Sequence, residues 1–315
     1  MNTKKIYELI VLAGIQADLR GSKRVKQHLN RLNEKYKKLS TKEKMEFDKE
    51  SLSNPYTDSR ILNTNGREIK RIMAGIDIDG SELLLAKHIG GVDLVVAHHP
   101  QGLALAGLHE VMLMQAEILA DYGIPINIAQ SLIKLRISEV SRSLSPANHS
   151  RSVDFAKILG LDFMCVHTPA DNLAASFLVK LYEKKKNSLE TVEDLIDLLK
   201  TIPEYSNAVK IKNGPKIFVG LPENYLGKVV FTEITGGTSG SKDIYEKMSH
   251  YGIGTIVGMH MSDEHRQEAE KYHINVVIAG HMSSDSLGMN LFLDKIEKRG
   301  VEIIPVSGFI RVKRF

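Results

Sequence analysis

The chain has 315 residues, 43% of them hydrophobic, so it can bury a full core and is long enough for two α/β lobes. No apolar run is long enough to cross a bilayer and the first residues lack a signal-peptide core, which predicts a cytoplasmic protein without membrane contact. The single cysteine, Cys165, excludes an internal disulfide, and its apolar surroundings favour a packed thiol over a reactive one.

The N-terminal segment carries the basic excess of the chain, whose net charge is +4. Residues 1–60 contain 14 Lys and Arg against 8 Asp and Glu, and their apolar positions recur at helical spacing, which predicts an N-terminal helical arm. The basic clusters at residues 23–26 and 35–38 are compatible with nucleic-acid binding. Interleaved acids and few aromatics favour a solvated helix face instead.

The sequence after the arm is typical of alternating strands and helices. Residues 71–79 and 92–97 form apolar runs, and a short helical pattern over 82–89 separates them. Such a unit places its two strands in parallel. We therefore assign residues 61–200 to a first α/β lobe, with an insertion of helices over 101–160.

The same order of elements returns in the second half of the chain. Residues 75–100 and 234–261 both show a strand, a turn of small residues, a helix, a glycine, a strand and a histidine. This pattern indicates a degenerate two-fold repeat, so residues 201–315 are predicted to form a second lobe. The predicted fold class is α/β, with two similar lobes of mostly parallel strands around a cleft.

Four of the predicted strands end on histidine. The run over residues 92–97 is followed by His98 and His99, and the other three strands end at His167, His260 and His281. A single histidine after a strand is usually a hydrogen-bonding loop residue. Because ligands bind at the carboxyl ends of parallel strands, the joint pattern predicts one shared site.

Two aspartates supply the negative charge that a cluster of metal ions needs. Asp171 and Asp285 each lie four residues beyond a strand-end histidine. We predict a metal site built from His98, His99, His281 and at least one of these aspartates. Imidazole and carboxylate ligands suit zinc, iron, manganese or cobalt, and they do not distinguish among these metals.

The remaining polar residues near the strand ends have weaker signals. His167 and His260 are expected to contact the ligands or the substrate rather than the metal. Asp77 and Asp79 end the first core strand, where they either line the cleft or form a turn.

A glycine-rich turn follows another predicted strand. Backbone amides of this turn could hold a phosphate, and the residues concerned are Gly236, Gly237, Ser239 and Gly240. The turn lacks the P-loop lysine and the dinucleotide-binding spacing, so a tight turn is the favoured interpretation.

The chemistry predicted from these residues is metal-assisted hydrolysis. The sequence has no nucleophile elbow and no cysteine–histidine pair. A metal-bridging water is therefore the expected nucleophile, acting on a nucleotide or another small phosphorylated or heterocyclic substrate. The alternative is a non-catalytic metal-binding or regulatory adaptor protein.

Three motifs resemble the Nif-three-like family of dinuclear metal proteins, often labelled GTP cyclohydrolase I type 2. They are His98-His99-Pro100, His167-Thr-Pro-Ala-Asp171-Asn172 and Gly280-His281-Met-Ser-Ser-Asp285, and the resemblance covers about residues 70–310. It implies the Nif-three-like fold and two divalent metal ions per chain. The implied ligands are His98, His99, Asp171, His281 and Asp285, with the carboxylates bridging.

The resemblance also implies an assembly and a reaction. Family members form toroidal homohexamers, and the family label suggests ring-opening hydrolysis of the guanine of GTP. This chain departs from the family in three places. Asp285 stands where members typically have Glu, the helical arm replaces the usual opening, and the segment between Pro100 and Cys165 is longer.

Overall fold

Two β-sheets and fifteen α-helices make up the computed structural model, which describes all residues from 1 to 315. None of the helices combines the length and the apolar character that a membrane crossing requires.

The first half of the chain begins with three helices and then alternates strands and helices. Its elements are α1 (Thr3–Ala17), α2 (Ser22–Lys38), α3 (Thr41–Glu46), β1 (Ser59–Asn63), β2 (Arg71–Gly75), α4 (Gly80–Ile89), β3 (Leu94–Ala97), α5 (Gly102–Ala106), α6 (Leu108–Val111), α7 (Met114–Asp121), α8 (Ile126–Leu144), α9 (Arg151–Leu159), β4 (Asp162–Val166) and α10 (Thr168–Lys185).

The second half repeats this alternation. Its elements are α11 (Val192–Lys200), α12 (Pro203–Lys210), β5 (Lys216–Val219), β6 (Lys228–Glu233), α13 (Ile244–His250), β7 (Ile253–Gly258), α14 (Asp263–Lys271), β8 (Asn275–Ile278), α15 (His281–Glu297) and β9 (Glu302–Val306).

The two sheets have related topologies. The first has the strand order β1-β4-β3-β2-β9 and the second β5-β8-β7-β6. In each sheet one edge strand, β1 or β5, is antiparallel to its neighbour, and the remaining pairs are parallel. The prediction of an α/β fold with two sheets of mostly parallel strands and a helical N-terminus is therefore confirmed.

The central strands explain why helices cover both faces of each sheet. All four residues of β3 and all four of β8 are buried. A parallel strand that is apolar along its whole length needs cover on both faces, and the crossover helices provide it. The two strand–helix–strand units, β2–α4–β3 and β6–α13–β7, match the repeat in the sequence.

Two elements make contacts across the predicted division into arm and lobes. In α1, Ile6 and Ile10 belong to the main hydrophobic cluster, so this helix is a core element rather than part of a free arm. β9 lies in the segment predicted for the second lobe, yet it pairs with β2 in the first sheet. The apolar pattern of a segment does not show which strand it pairs with or which element it packs against. The boundaries at residues 60 and 200 remain predictions.

The helices α10 and α15 leave the carboxyl ends of β4 and β8 and pack against each other. They approach so closely that a Cβ added to Gly288 on α15 would overlap the backbone carbonyl oxygen of Ala170 on α10. Glycine at this position therefore sets the distance between the middle of α15 and the first turn of α10.

We expect Gly288→Ala to destabilise the protein by about 1–3 kcal/mol, because the added methyl group must push α15 away from α10. In an unconstrained helix the same change would stabilise by roughly 1 kcal/mol. Urea denaturation measures the difference. Lys295→Ala, an exposed change on the same helix, is the control. A Gly288→Ala protein at least as stable as the wild type would contradict the close packing.

Candidate metal centre

The four strand ends that carry histidine meet at one place between the two lobes. His98 and His99 follow β3, and the ring centroid of His98 lies 5.0 Å from that of His167, which follows β4. His281 begins α15, and its ring centroid lies 5.1 Å from that of His99 and 4.8 Å from that of His260. The predicted convergence of the strand-end histidines is present in the structure.

Three ligand atoms face one another on the more buried side of this cluster. His98 Nε2 lies 3.3 Å from Asp171 Oδ1 and 3.4 Å from Asp285 Oδ1. Asp171 lies in the first turn of α10 and Asp285 at the start of the second turn of α15, each four residues after a strand-end histidine. The equivalent helices of the two lobes therefore present a carboxylate to the same imidazole.

A second set of three atoms lies on the more exposed side. His99 Nε2 lies 3.3 Å from His281 Nε2 and 3.5 Å from Asp285 Oδ2. His281 Nε2 lies 3.7 Å from the same Asp285 oxygen. Asp285 thus turns one oxygen toward each set, as a bridging carboxylate does.

These separations match those of ligands around a common metal ion. Two atoms bound tetrahedrally to zinc at about 2.0–2.1 Å are roughly 3.3–3.4 Å apart. Ligand-atom spacing also groups His98 with His99 and Asp285, and His98 with His167 and Asp171, as sets that could hold a metal ion. The residues present fit a metal in geometry and in donor type.

Burial supports the same conclusion. Asp171 Oδ1, both carboxylate oxygens of Asp285 and both ring nitrogens of His98 are buried without a hydrogen-bond partner. A buried polar atom without a partner costs about 1–3 kcal/mol, and more when it is charged. Coordination of a cation would satisfy His98 Nε2 and the three oxygens.

Charge is concentrated on the buried side of the cluster. Burial lowers the pKa of His98, but the Asp285 and Asp171 carboxylates outweigh burial and raise it to about 10. Burial raises the pKa of Asp285, and the imidazoles around it outweigh burial and hold it well below the usual value. Burial lowers the pKa of His281 to about 4, so its imidazole is neutral and able to bind a metal at neutral pH.

Two further aspartates hold histidines of the cluster by their other ring nitrogen. Asp77 Oδ1 lies 2.6 Å from His99 Nδ1, and Asp58 Oδ2 lies 2.8 Å from His167 Nδ1. Such contacts fix the orientation and tautomer of a metal-binding histidine. Asp79, by contrast, caps α4, so of the two acids that end the first core strand only Asp77 contacts the cluster.

Asp58 was missed by the sequence interpretation. It precedes β1, and β1 runs antiparallel to β4, so that Ser59 pairs with Val166. The beginning of β1 therefore lies beside the end of β4. A carboxylate before one strand and a histidine after another, 109 positions away, share no sequence spacing that would signal the contact.

A polar chain connects the cluster to the N-terminal helix. Asn172, next to Asp171, donates to Tyr56 Oη at 3.1 Å and accepts from Thr235 Oγ1 at 2.7 Å. Tyr56 Oη donates to Asp18, which follows α1, at 2.9 Å. Because all of these side chains are buried, the chain ties α1, α10 and the end of β6 together.

A small polar cleft adjoins the histidines. Its lining includes His167, Asp171, His260 and His281 from the cluster, together with Glu233 at the end of β6 and hydroxyl groups of the glycine-rich turn. His260 Nδ1 lies 3.4 Å from Ser239 Oγ in that turn. His260 therefore lines the cleft without joining either set of three ligand atoms.

Contact with the inserted helices accounts for the glycines of the turn. Gly236 and Gly237 have φ values of 99° and 90°. A Cβ on Gly236 would lie 2.8 Å from Gln115 Cγ, and Gln115 Nε2 donates to the carbonyl oxygens of Gly236 and Thr238 at 2.7 Å each. The insertion over residues 101–160 thus packs directly against the turn.

The turn does not begin a helix, because α13 begins only at Ile244. This departs from the predicted strand–turn–helix arrangement for a phosphate-binding loop. The predicted phosphate contacts of Gly236, Gly237, Ser239 and Gly240 remain a prediction; of these four residues, Gly237 and Ser239 line the cleft.

The fold and the cluster define a two-lobed α/β protein with a metal-site-like group of histidines and aspartates between its lobes. A solved structure of a NIF3 superfamily protein from Sphaerobacter thermophilus is 30% identical to this chain. It aligns with a TM-score of 0.74 over 80% of this chain and 91% of that one. The chain belongs to the NIF3 superfamily.

Two further solved structures are less similar to this chain than the Sphaerobacter protein is. HcgD from Methanocaldococcus jannaschii, in a reduced form, is 15% identical, with a TM-score of 0.49 over 78% of this chain and 87% of that one. A Thermus thermophilus protein is 14% identical, with a TM-score of 0.45 over 84% and 94%. No protein-family model and no curated protein matches the chain. The GTP cyclohydrolase activity and the hexamer that the resemblance implied remain predictions.

Asp285→Asn should weaken metal binding by more than the roughly 10–100-fold typical of residues that only support a ligand. The amide keeps the shape of the side chain but removes the charge that faces both sets of ligand atoms. Elemental analysis and metal titration of the purified protein measure the loss. Asp154→Asn, which alters an exposed carboxylate, should leave metal content unchanged. Equal metal content in both variants would refute the role of Asp285.

Glu233 provides a pH-dependent test of the cleft, because burial raises its pKa from 4.5 to about 7. Between pH 4.5 and about 7 the folded protein retains a proton on Glu233 that the unfolded chain has lost. The free energy of unfolding therefore falls as the pH rises through this range. Glu233→Gln should remove this loss and stabilise the metal-free protein at pH 8 by up to about 3 kcal/mol, with little effect near pH 4.

Thermal or urea unfolding of the metal-free protein at several pH values measures this effect. The exposed residue Glu223, changed to Gln, is the control. If the stability difference between Glu233→Gln and the wild type were the same at pH 4 and pH 8, Glu233 would not titrate in a buried environment.

Proposed function

We propose that the chain is a dinuclear metal-dependent hydrolase that acts on a nucleotide or another small phosphorylated or heterocyclic substrate. The observation that carries the proposal is the position of Asp285 between two sets of ligand atoms. One oxygen faces His98 and Asp171, and the other faces His99 and His281. This arrangement offers ligands for two adjacent ions.

The proposed ligands are the five residues that the sequence indicated. His98, Asp171 and Asp285 would hold one ion, and His99, His281 and Asp285 the other. Two divalent ions, of zinc, iron, manganese or cobalt, would lower the pKa of water and stabilise the attacking and leaving oxygens during hydrolysis.

The residues of the chain orient and enclose this centre. Asp77 holds the His99 ring by Nδ1, leaving Nε2 directed toward His281 and Asp285. The neutral His281 imidazole needs no deprotonation before it binds a cation. The cleft beside these residues is lined by hydroxyls, imidazoles and two carboxyl groups, which suits a small polar substrate.

Exposure on one side favours an enzyme over an adaptor protein. The side chains of His98 and Asp285 are fully buried, whereas those of His99 and His281 are 23% and 35% exposed. A catalytic metal site keeps an open position for water or substrate, and a closed structural site does not. Self-association into a ring, with the cleft facing an inner cavity, belongs to the same proposal.

Metal analysis combined with substrate screening tests the proposed function. After expression with added metal, we expect two equivalents per chain and hydrolysis of at least one nucleotide, phosphoester or heterocyclic compound. Chelation should abolish turnover, and re-addition of metal should restore it. Asp285→Asn should lack turnover while Asp154→Asn retains it.

The opposite results separate the alternatives. Two equivalents of metal without turnover of any compound would favour the adaptor protein. Turnover that resists chelation, or a wild-type protein that binds no metal, would refute the proposed mechanism.

A further inference from the structure

The two lobes present the same histidine–aspartate pair to the cluster. His281 and Asp285 lie four residues apart at the start of α15, with His281 Nε2 3.7 Å from Asp285 Oδ2. His167 and Asp171 lie four residues apart at the start of α10, with His167 Nε2 3.7 Å from Asp171 Oδ2. His167 is thus the counterpart in the first lobe of a proposed ligand in the second.

The neighbours of His167 determine which of its two ring nitrogens is free to bind a metal ion. Asp58 is fully buried, and its Oδ2 accepts hydrogen bonds from His167 Nδ1 at 2.8 Å and Thr168 Oγ1 at 2.6 Å. Since an ionised carboxylate only accepts, the proton of the neutral imidazole lies on Nδ1. Nε2 is left with a lone pair, the state in which histidine binds metals.

The position of that lone pair is on the buried side of the cluster. Ligand atoms of His98, His167 and Asp171 lie within 4.8 Å of one another. The backbone of His167 is also held in place, since its N–H donates to Ser59 Oγ at 3.0 Å and its carbonyl oxygen accepts from Asp171 N at 3.1 Å. The ring is therefore fixed toward the cluster at both its backbone and its Nδ1.

We propose that His167 is a direct ligand of the metal ion on the His98 side, oriented by Asp58. This inference rests on the metal centre of the proposed function and adds a sixth ligand to it. The two ions are then unlike. The ion on the buried side has four protein ligands, His98, His167, Asp171 and Asp285, and the ion on the exposed side has three.

This difference separates the roles of the two ions. Four protein ligands close a tetrahedral shell, whereas three leave a position for water or substrate. The exposed ion, which His99, His281 and Asp285 would hold, then keeps a position open for water or substrate, and its ligand His281 lines the cleft. The buried ion fixes Asp285 and is the more tightly bound of the two.

Cobalt(II) titration of the metal-free protein tests this assignment, with binding followed by visible absorption and by equilibrium dialysis. His167→Ala should weaken the tighter of the two equivalents by at least about 100-fold and leave the other bound. Asp58→Asn should weaken the same equivalent by about 10–100-fold. Added imidazole should restore cobalt binding to His167→Ala by filling the vacated position.

His260→Ala is the matched control, since it removes another strand-end imidazole that lines the cleft without joining a set of ligand atoms. It should bind both equivalents as the wild type does. Circular dichroism of each metal-free variant establishes that it is folded. If His167→Ala does not fold, Asp58→Asn and His167→Gln carry the test, with the same weakening expected of the tighter equivalent.

The outcomes distinguish this inference from the proposed function. Two equivalents bound with wild-type affinity by the His167 variants would overturn the role of His167 and leave the five-ligand centre intact. A wild-type protein that binds no cobalt would overturn both. If the His167 variants lose the tighter equivalent and the wild-type protein shows no hydrolytic activity, His167 is supported as a metal ligand. Only the proposed enzymatic activity is then refuted.

Discussion

The buried carboxylate of Asp285 is the constraint on which the arrangement of the two lobes depends. Its helix continues from the second sheet, but its oxygens face His98 and His99 at the end of a strand in the first. Burying a carboxylate without positively charged partners would cost several kcal/mol of folding free energy. The two lobes must therefore pack so that Asp285 lies beside His98 and His99. Because Asp has one methylene fewer than Glu, this contact also requires α15 to lie close to β3.

Packing below the cluster supplies that close approach. α1, α10 and α15 are in mutual contact, and the contact between α10 and α15 depends on a glycine at their crossing. The hydrogen-bonded chain from Asp18 through Tyr56 and Asn172 to Thr235 also fixes the relative orientation of the elements that it connects. A hydrophobic contact tolerates small rotations, whereas a buried hydrogen-bonded chain does not. The ligand helices are thus fixed in both distance and orientation.

The sequence was most informative where function and local pattern coincide. Apolar runs that end on histidine located every strand end of the cluster, because a buried strand and its terminal residue are neighbours in the chain. It was least informative for contacts made across the fold, such as Asp58 with His167 or β9 with β2. The glycines of the turn at Gly236 favoured a tight turn over a phosphate site, and the structure adds the contact with Gln115 that requires Gly236. A sequence pattern shows that glycine is needed but not which neighbour needs the space.

The return of β9 to the first sheet has a consequence for how the protein is made. β9 follows every strand of the second sheet along the chain, so the first sheet stays incomplete on the ribosome until the second sheet has been synthesised. Domains usually fold in order as they emerge. Here the first sheet can be completed only after the segment that forms the second sheet has emerged. A fragment that ends before β9 would leave β2 without a pairing partner on one side, so the first sheet is not a contiguous, portable segment of the chain.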